Sequence, residues 1–157
     1  RYPVLDPIIK TVEVPCDKEK AFTVFLNEMG SWWPARPFTT SAMAGSTLKE
    51  IRVEPVVGGQ ITEVSEDGTE YLWGEILTYN PFDAFTMDFH IPSPDWDIGP
   101  MSHVEVRFTE MAENKTRVVL THGNWEALGD MAPQIRGGYE HGWKSIFDEC
   151  YAQACGD

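Results

Sequence analysis

The chain has 157 residues, 42% of them hydrophobic, which is enough for one well-packed core and too little for two ordinary domains. Its 25 acidic and 12 basic side chains give a net charge of -13, which repels phosphate backbones and anionic headgroups and argues against nucleic acid as a partner. No apolar run reaches membrane-spanning length, so membrane insertion is not expected.

Ile8–Val14 alternates β-branched and polar residues, the pattern of a half-buried strand, and Pro15 ends it. Asp17 is placed as a helix N-cap. Behind it Ala21, Phe22, Phe25, Leu26 and Met29 recur at helical spacing, and Gly30 is expected to stop the run. Trp32-Trp33-Pro34 follows, two large rings where the chain turns back on its own core. Residues 36–46 are small, polar and without period, and read as a loop.

Strands then follow closely. Residues 47–57 lead to the turn Gly58-Gly59, 60–64 to Glu66-Asp67-Gly68, and 71–79 to Asn80-Pro81-Phe82-Asp83, each turn supplying glycine, or proline with Asn, where the backbone reverses. Residues 84–90 make the next strand. The irregular stretch 91–101, with three prolines and Trp96, is the best candidate for a lid. Residues 102–110 and 115–122 form a further hairpin, in which His122 shares a face with Val118 and Leu120 while His103, Glu105 and Arg107 lie opposite Val104 and Val106. Finally Ile135, Tyr139, Trp143, Ile146, Phe147, Cys150, Tyr151 and Ala154 make a long apolar stripe at helical spacing. Gly137-Gly138 marks a kink or a later helix start, and Gly142 a close approach.

A long terminal helix packed on a sheet made from all the sequence between predicts a single α+β domain over residues 1–157: a curved antiparallel sheet wrapped around the C-terminal helix. A cavity is expected where the two separate. Cys16, Cys150 and Cys155 lack metal-ligand spacing and are read as reduced thiols packed as small hydrophobes, which places the chain in the cytoplasm. The four histidines lack the paired spacing of zinc sites, so neither a metal nor another cofactor is expected. For the ligand site, Trp32, Trp33, Phe89, Trp96, His122, Trp125 and Trp143 are the expected wall or mouth, with Trp96 on the lid and His122 as a polar anchor. Glu75, Tyr79, Arg107 and His90 are further anchor candidates. Glu105 and Arg107, two apart on one strand face, are read as a solvated or cross-strand pair.

Val12-Glu13-Val14-Pro15 before the first helix, Trp32-Trp33 after it, Gly58-Gly59, Glu66-Asp67-Gly68, Gly74, Asn80-Pro81, the run Thr116 to His122, and Gly142-Trp143 form an ordered series. By that series the chain resembles the activator of heat-shock protein 90 ATPase homologue-like family, within the START/SRPBCC superfamily, over nearly its whole length. The resemblance implies the helix-grip, Bet v 1-like fold, and a superfamily that includes lipid binders, hormone receptors, polyketide cyclases and stress-response proteins. Direct chaperone activation is not expected, since the ATPase-stimulating members carry a further N-terminal domain.

No nucleophile motif or acid–base set stands out in the residues, and no catalytic residue is assigned. The expected function is binding of a small hydrophobic or amphipathic molecule between sheet and helix, in a stress-related setting. Two alternatives stay open: a cavity enzyme of the polyketide cyclase or hydrolase type, and a co-chaperone-like interaction module. A monomer or a homodimer paired through an edge strand is expected.

Overall fold

The computed structural model describes residues 5–96 and 99–156. Seven strands form one antiparallel sheet: β1 (Ile8–Val14), β2 (Leu48–Val53), β3 (Gln60–Ser65), β4 (Glu70–Asn80), β5 (Ala84–Phe89), β6 (Ser102–Ala112) and β7 (Lys115–Gly123). The spatial order is β1-β7-β6-β5-β4-β3-β2, so every neighbouring pair except β1 and β7 is a hairpin, and β1 crosses back to close one edge. Register shifts interrupt the β2/β3, β3/β4, β4/β5 and β6/β7 ladders, and such bulges increase twist and curl a sheet into a half-barrel. Gly74 sits at the register shift between β3 and β4, and a Cβ there would lie 1.8 Å from the Asp88 carbonyl oxygen, a place only glycine fills.

The concave face is built by strict alternation. Val104, Val106 and Phe108 of β6 and Val118, Leu120 and His122 of β7 are all buried, while His103 and Arg107 face outward. Arg107 and Glu105 pair on that outer face at 3.3 Å, as a solvated ion pair.

Helix α1 (Lys18–Leu26) starts at Asp17, whose side chain accepts from the Lys20 amide at 2.8 Å. It ends at Asn27, earlier than glycine placement predicts. Gly30 instead lies inside a second short helix, α2 (Met29–Trp32), and its role is proximity: a Cβ would stand 3.0 Å from the Ile51 amide of β2. The stretch expected to be all loop contains another short helix, α3 (Thr40–Met43).

The C-terminal helix runs without a break. α4 (Ala132–Trp143) continues through a wider π-helical stretch (Lys144–Tyr151) into α5 (Ala152–Gly156). Gly137-Gly138 neither kinks nor starts it. Trp143, Ile146, Phe147, Tyr151 and Cys155 are buried against the sheet and α1, where Tyr151 stacks on Phe147 and donates to the Ala21 carbonyl at 2.7 Å. Cys16 and Cys155 are buried free thiols and Cys150 is half-buried. Among the described residues no helix is long and apolar enough to cross a membrane.

Candidate functional site

An open apolar cleft of about 370 Å³ lies where the half-barrel mouth meets the N-terminal half of the C-terminal helix. One wall is a strip of that helix. Ile135, Gly138, Gly142 and Ile146 follow one another at three- and four-residue steps and therefore share one face, with Tyr139, four residues after Ile135, beside them. Phe38 and Met43, from the segment between α2 and β2, form the opposite wall, and His90 and Ile91, just past the end of β5, close the inner end.

The segment carrying Phe38 and Met43 acts as a flap, and Glu63 of β3 holds it. The Glu63 carboxylate is fully buried and accepts from the amides of Thr40 (2.9 Å) and Ser41 (2.5 Å), from the Ser41 hydroxyl, and from the Trp73 indole (2.9 Å). Four donors replace the water that this charge gave up, and two of them are otherwise orphaned amides at the start of α3. The Thr40 hydroxyl donates to the Pro92 carbonyl at 2.5 Å, and the Trp33 indole to the Phe38 carbonyl at 2.8 Å. The flap is thus tied to β3, to the chain after β5 and to the core. Gly142 is buried beneath it: a Cβ there would meet the Phe38 ring at 3.3 Å, so the close approach is to a side chain of the protein itself.

Tyr139 joins the cleft to the core. Its phenolic oxygen accepts from the Ile91 amide at 2.8 Å and stands 3.4 Å from His90 Nδ1. Its ring packs on Phe89 (5.7 Å between centroids), His122 (4.8 Å) and Trp125 (6.3 Å). Behind it, Trp33, Phe89, His122, Trp125 and Trp143 form one buried aromatic box.

His122 sits at the centre of that box with both nitrogens used. The Trp143 indole donates to Nδ1 at 3.0 Å, so Nε2 carries the proton and donates to the Ser102 hydroxyl at 2.8 Å. Ser102 in turn donates to the Phe89 carbonyl at 2.7 Å. Burial is the main reason that the ring's pKa falls from 6.5 to about 3, with His90, Arg136 and His103 adding repulsion. A neutral, doubly bonded imidazole cannot serve as a base at ordinary pH, and its position makes it a structural element of the box.

Of the residues expected at the site, five therefore converge, and they fill the space between sheet and helix where an open cavity was expected. The open volume lies at its mouth instead. Trp32 touches the box through Trp33 (5.7 Å between centroids) but lies on the α1 side, donating to the Val24 carbonyl and packing on Phe25 and Tyr151. Trp96, 47% exposed, lies in the irregular connection and pairs with Ser93 in a small bridge. Of the further anchors, His90 lines the cleft, Tyr79 packs on Phe22, and Glu75 and Arg107 are exposed. Phe38, Ile91, Glu63 and the part played by Tyr139 were not singled out; the alternation of β3 places Glu63 on the inward face of Ile61, a signal that could have found it.

A second depression of about 520 Å³ runs along α1, but Asp17, Glu19, Lys20 and Glu28 line it, so an apolar molecule gains little there. Among the described residues no group of three His, Cys, Asp or Glu side chains is arranged to hold a metal ion.

The model of the Activator of Hsp90 ATPase homolog 1-like protein family matches residues 16–152. The chain belongs to that family. An anthrahydroquino-gamma-pyrone synthase, Txn09, is similar at 30% identity, with 87% of this chain and 88% of that one covered and a TM-score of 0.59. The self-sacrificing resistance protein CalC from Micromonospora echinospora shares the fold at 24% identity, covering 96% and 94%, with a TM-score of 0.66. So does PFC0360w, an Hsp90 activator from Plasmodium falciparum, at 19% identity, covering 91% and 96%, with a TM-score of 0.51. Comparison with curated proteins returned no match.

Proposed function

We propose that this family member binds a small, neutral, apolar to amphipathic molecule, received by the cleft between the flap and the C-terminal helix. The observation that carries the reading is the lining. It is apolar over most of its area, includes no Lys, Arg, Asp or Glu, and ends on the hydrogen-bonding groups of Tyr139 and His90. Its volume falls at the lower end of the roughly 300 to 1,000 Å³ usual for small-molecule sites. Burying about 300 Å² of apolar ligand surface at roughly 25 cal/mol per Å² yields at most about 7 kcal/mol before association costs, so micromolar affinity is expected. The similarity to Txn09, a synthase whose name specifies a fused aromatic product, supports an aromatic guest.

Gly138 provides the test. It is exposed in mid-helix with nothing within 4 Å of where a Cβ would be, so packing does not explain a residue that costs about 1 kcal/mol of helix stability relative to alanine. A Gly138→Leu side chain would project into the cleft. Native mass spectrometry against a panel of neutral aromatic compounds and fatty acids is expected to give a one-to-one adduct with neutral aromatics. That adduct is lost in Gly138→Leu, without loss of thermal stability, and kept in Gly137→Ala. An unshifted mass across the panel, or equal adducts in Gly138→Leu, overturns the reading.

One observation favours a second reading, the cavity enzyme. Tyr139 and His90 place a phenol and an imidazole 3.4 Å apart at the inner end of the cleft, an arrangement able to hand a proton to or from a bound oxygen. Turnover of an aromatic polyketide-like substrate that falls at least a hundredfold in Tyr139→Phe, with binding retained, would establish it.

A further inference from the structure

At the opposite end of the C-terminal helix from the cleft, two thiols from distant parts of the chain meet. Cys16 stands at the corner between β1 and α1, where its carbonyl accepts from the Thr116 hydroxyl at 2.8 Å. Cys155 lies in α5, which packs back on β1 and α1. Three contacts fix this corner. A Cβ on Gly156 would stand 3.8 Å from Pro15, the Tyr151 hydroxyl donates to the Ala21 carbonyl at 2.7 Å, and the Cys16 and Cys155 side chains lie within hydrogen-bonding reach of each other. Both cysteines belong to the buried core and both are free thiols. Cys150, the third, lines a separate depression with Ser31, Trp32 and Gln153.

The two thiols differ in accessibility. Cys16 keeps 5% exposure against 1% for Cys155. Burial raises the pKa of both, that of Cys155 to about 12. Cys16 is therefore the thiol that an oxidant meets first, and Cys155 the one that resolves it. Asp17 and Lys20, close to Cys16 in sequence, line the depression along α1 together with Ala154, the neighbour of Cys155, so the oxidant approaches from there. Asp17, Glu19 and Glu28 outnumber Lys20 in that lining, which disfavours an anionic oxidant such as glutathione disulfide and favours a small neutral one.

We propose that Cys16 and Cys155 form an intramolecular disulfide on exposure to hydrogen peroxide, and that this bond clamps the end of the C-terminal helix to the corner between β1 and α1. Cys16, as its thiolate, attacks one peroxide oxygen: an S–O bond forms, the O–O bond breaks, and the departing hydroxide leaves as water with the proton the thiol gave up. Cys155, losing its own proton, attacks the resulting sulfenic sulfur; the S–S bond forms, the S–O bond breaks and a second water leaves. The two thiols together lose two electrons and the peroxide gains them. Because the bonded residues stand near opposite ends of the chain, the disulfide closes nearly all of it into one loop, the case in which a cross-link restricts the unfolded chain most. The raised pKa values keep the thiolate fraction small, so the clamp responds to sustained peroxide and not to a brief pulse.

The reduced full chain is treated with hydrogen peroxide, denatured, alkylated and analysed by intact-mass and peptide mass spectrometry. The expected product has one alkylated cysteine, Cys150, in place of the three of the reduced chain, and a peptide cross-link between Cys16 and Cys155. Its Tm is raised by about 10 °C, and dithiothreitol reverses the rise. Cys150→Ser keeps the cross-link and the rise, and Cys155→Ser loses both. Three alkylated cysteines after oxidation, a cross-link to Cys150 or between chains, or Cys16 taken to sulfinic acid without a cross-link overturns the pairing in the wild-type chain, whether or not the variants fold. A Cys16–Cys155 cross-link with an unchanged or lowered Tm overturns the clamp.

Discussion

His122 shows how one side chain ties the interior to solution conditions. The folded chain holds its ring neutral down to about pH 3, whereas in the unfolded chain it titrates near 6.5. Above pH 6.5 both states are neutral and the stabilisation is fully present. Below it, the unfolded chain takes up a proton that the folded chain refuses, so stability falls as pH falls, approaching about 1.4 kcal/mol per pH unit from this group alone. Urea unfolding is expected to show His122 contributing a loss of about 2 kcal/mol between pH 6.5 and 5. His122→Gln should be less stable at pH 7 yet lack that part of the slope; equal slopes in the two proteins would contradict the buried neutral ring. The inward placement of His122 is legible from strand alternation with Val118 and Leu120. Its chemistry is not, because Trp143 and Ser102, which consume its two nitrogens, come from two other elements, 21 and 20 residues away.

Among the elements, the flap is the piece that sequence reading leaves as a loop. Thr40 and Ser41 carry no apolar period, and a four-residue helix is too short to show one. What orders it is a carboxylate 22 residues further on, in a strand whose own pattern marks Glu63 as inward-facing. The same interaction positions Phe38 and Met43 along the cleft. Glu63→Gln replaces an acceptor-only carboxylate with a group that must turn two hydrogens toward two donors, and a loss of about 2 to 3 kcal/mol is expected in chemical denaturation. Faster amide exchange at Thr40 and Ser41 should accompany it. A loss under about 0.5 kcal/mol would mean that Glu63 does not hold the flap. The seven strands and the closing helix, by contrast, are plain in the sequence, because turns with glycine or Asn-Pro separate runs of clean alternation, and the stripe from Ile135 to Ala154 keeps helical spacing throughout.

For the whole molecule, the helix-grip architecture does not by itself say where a ligand sits. Sequence reasoning places the site among the tryptophans between sheet and helix; Trp33, Trp125 and Trp143 gather there with Phe89 and His122, but these rings pack against one another. Side-chain volume decides this: five aromatic rings together with Tyr139 fill the grip, so the open space moves out to its mouth, where Gly138 leaves the helix bare. The net charge of -13 and the uncharged lining both favour a neutral guest over an anion. The most direct test is an amide and indole NMR titration of the intact chain with fluorenone. The expected result is perturbation centred on Phe38, Ile91, Gly138 and Gly142. Shifts confined to the Trp96 connection or to the depression along α1, or no shifts at all, would contradict it.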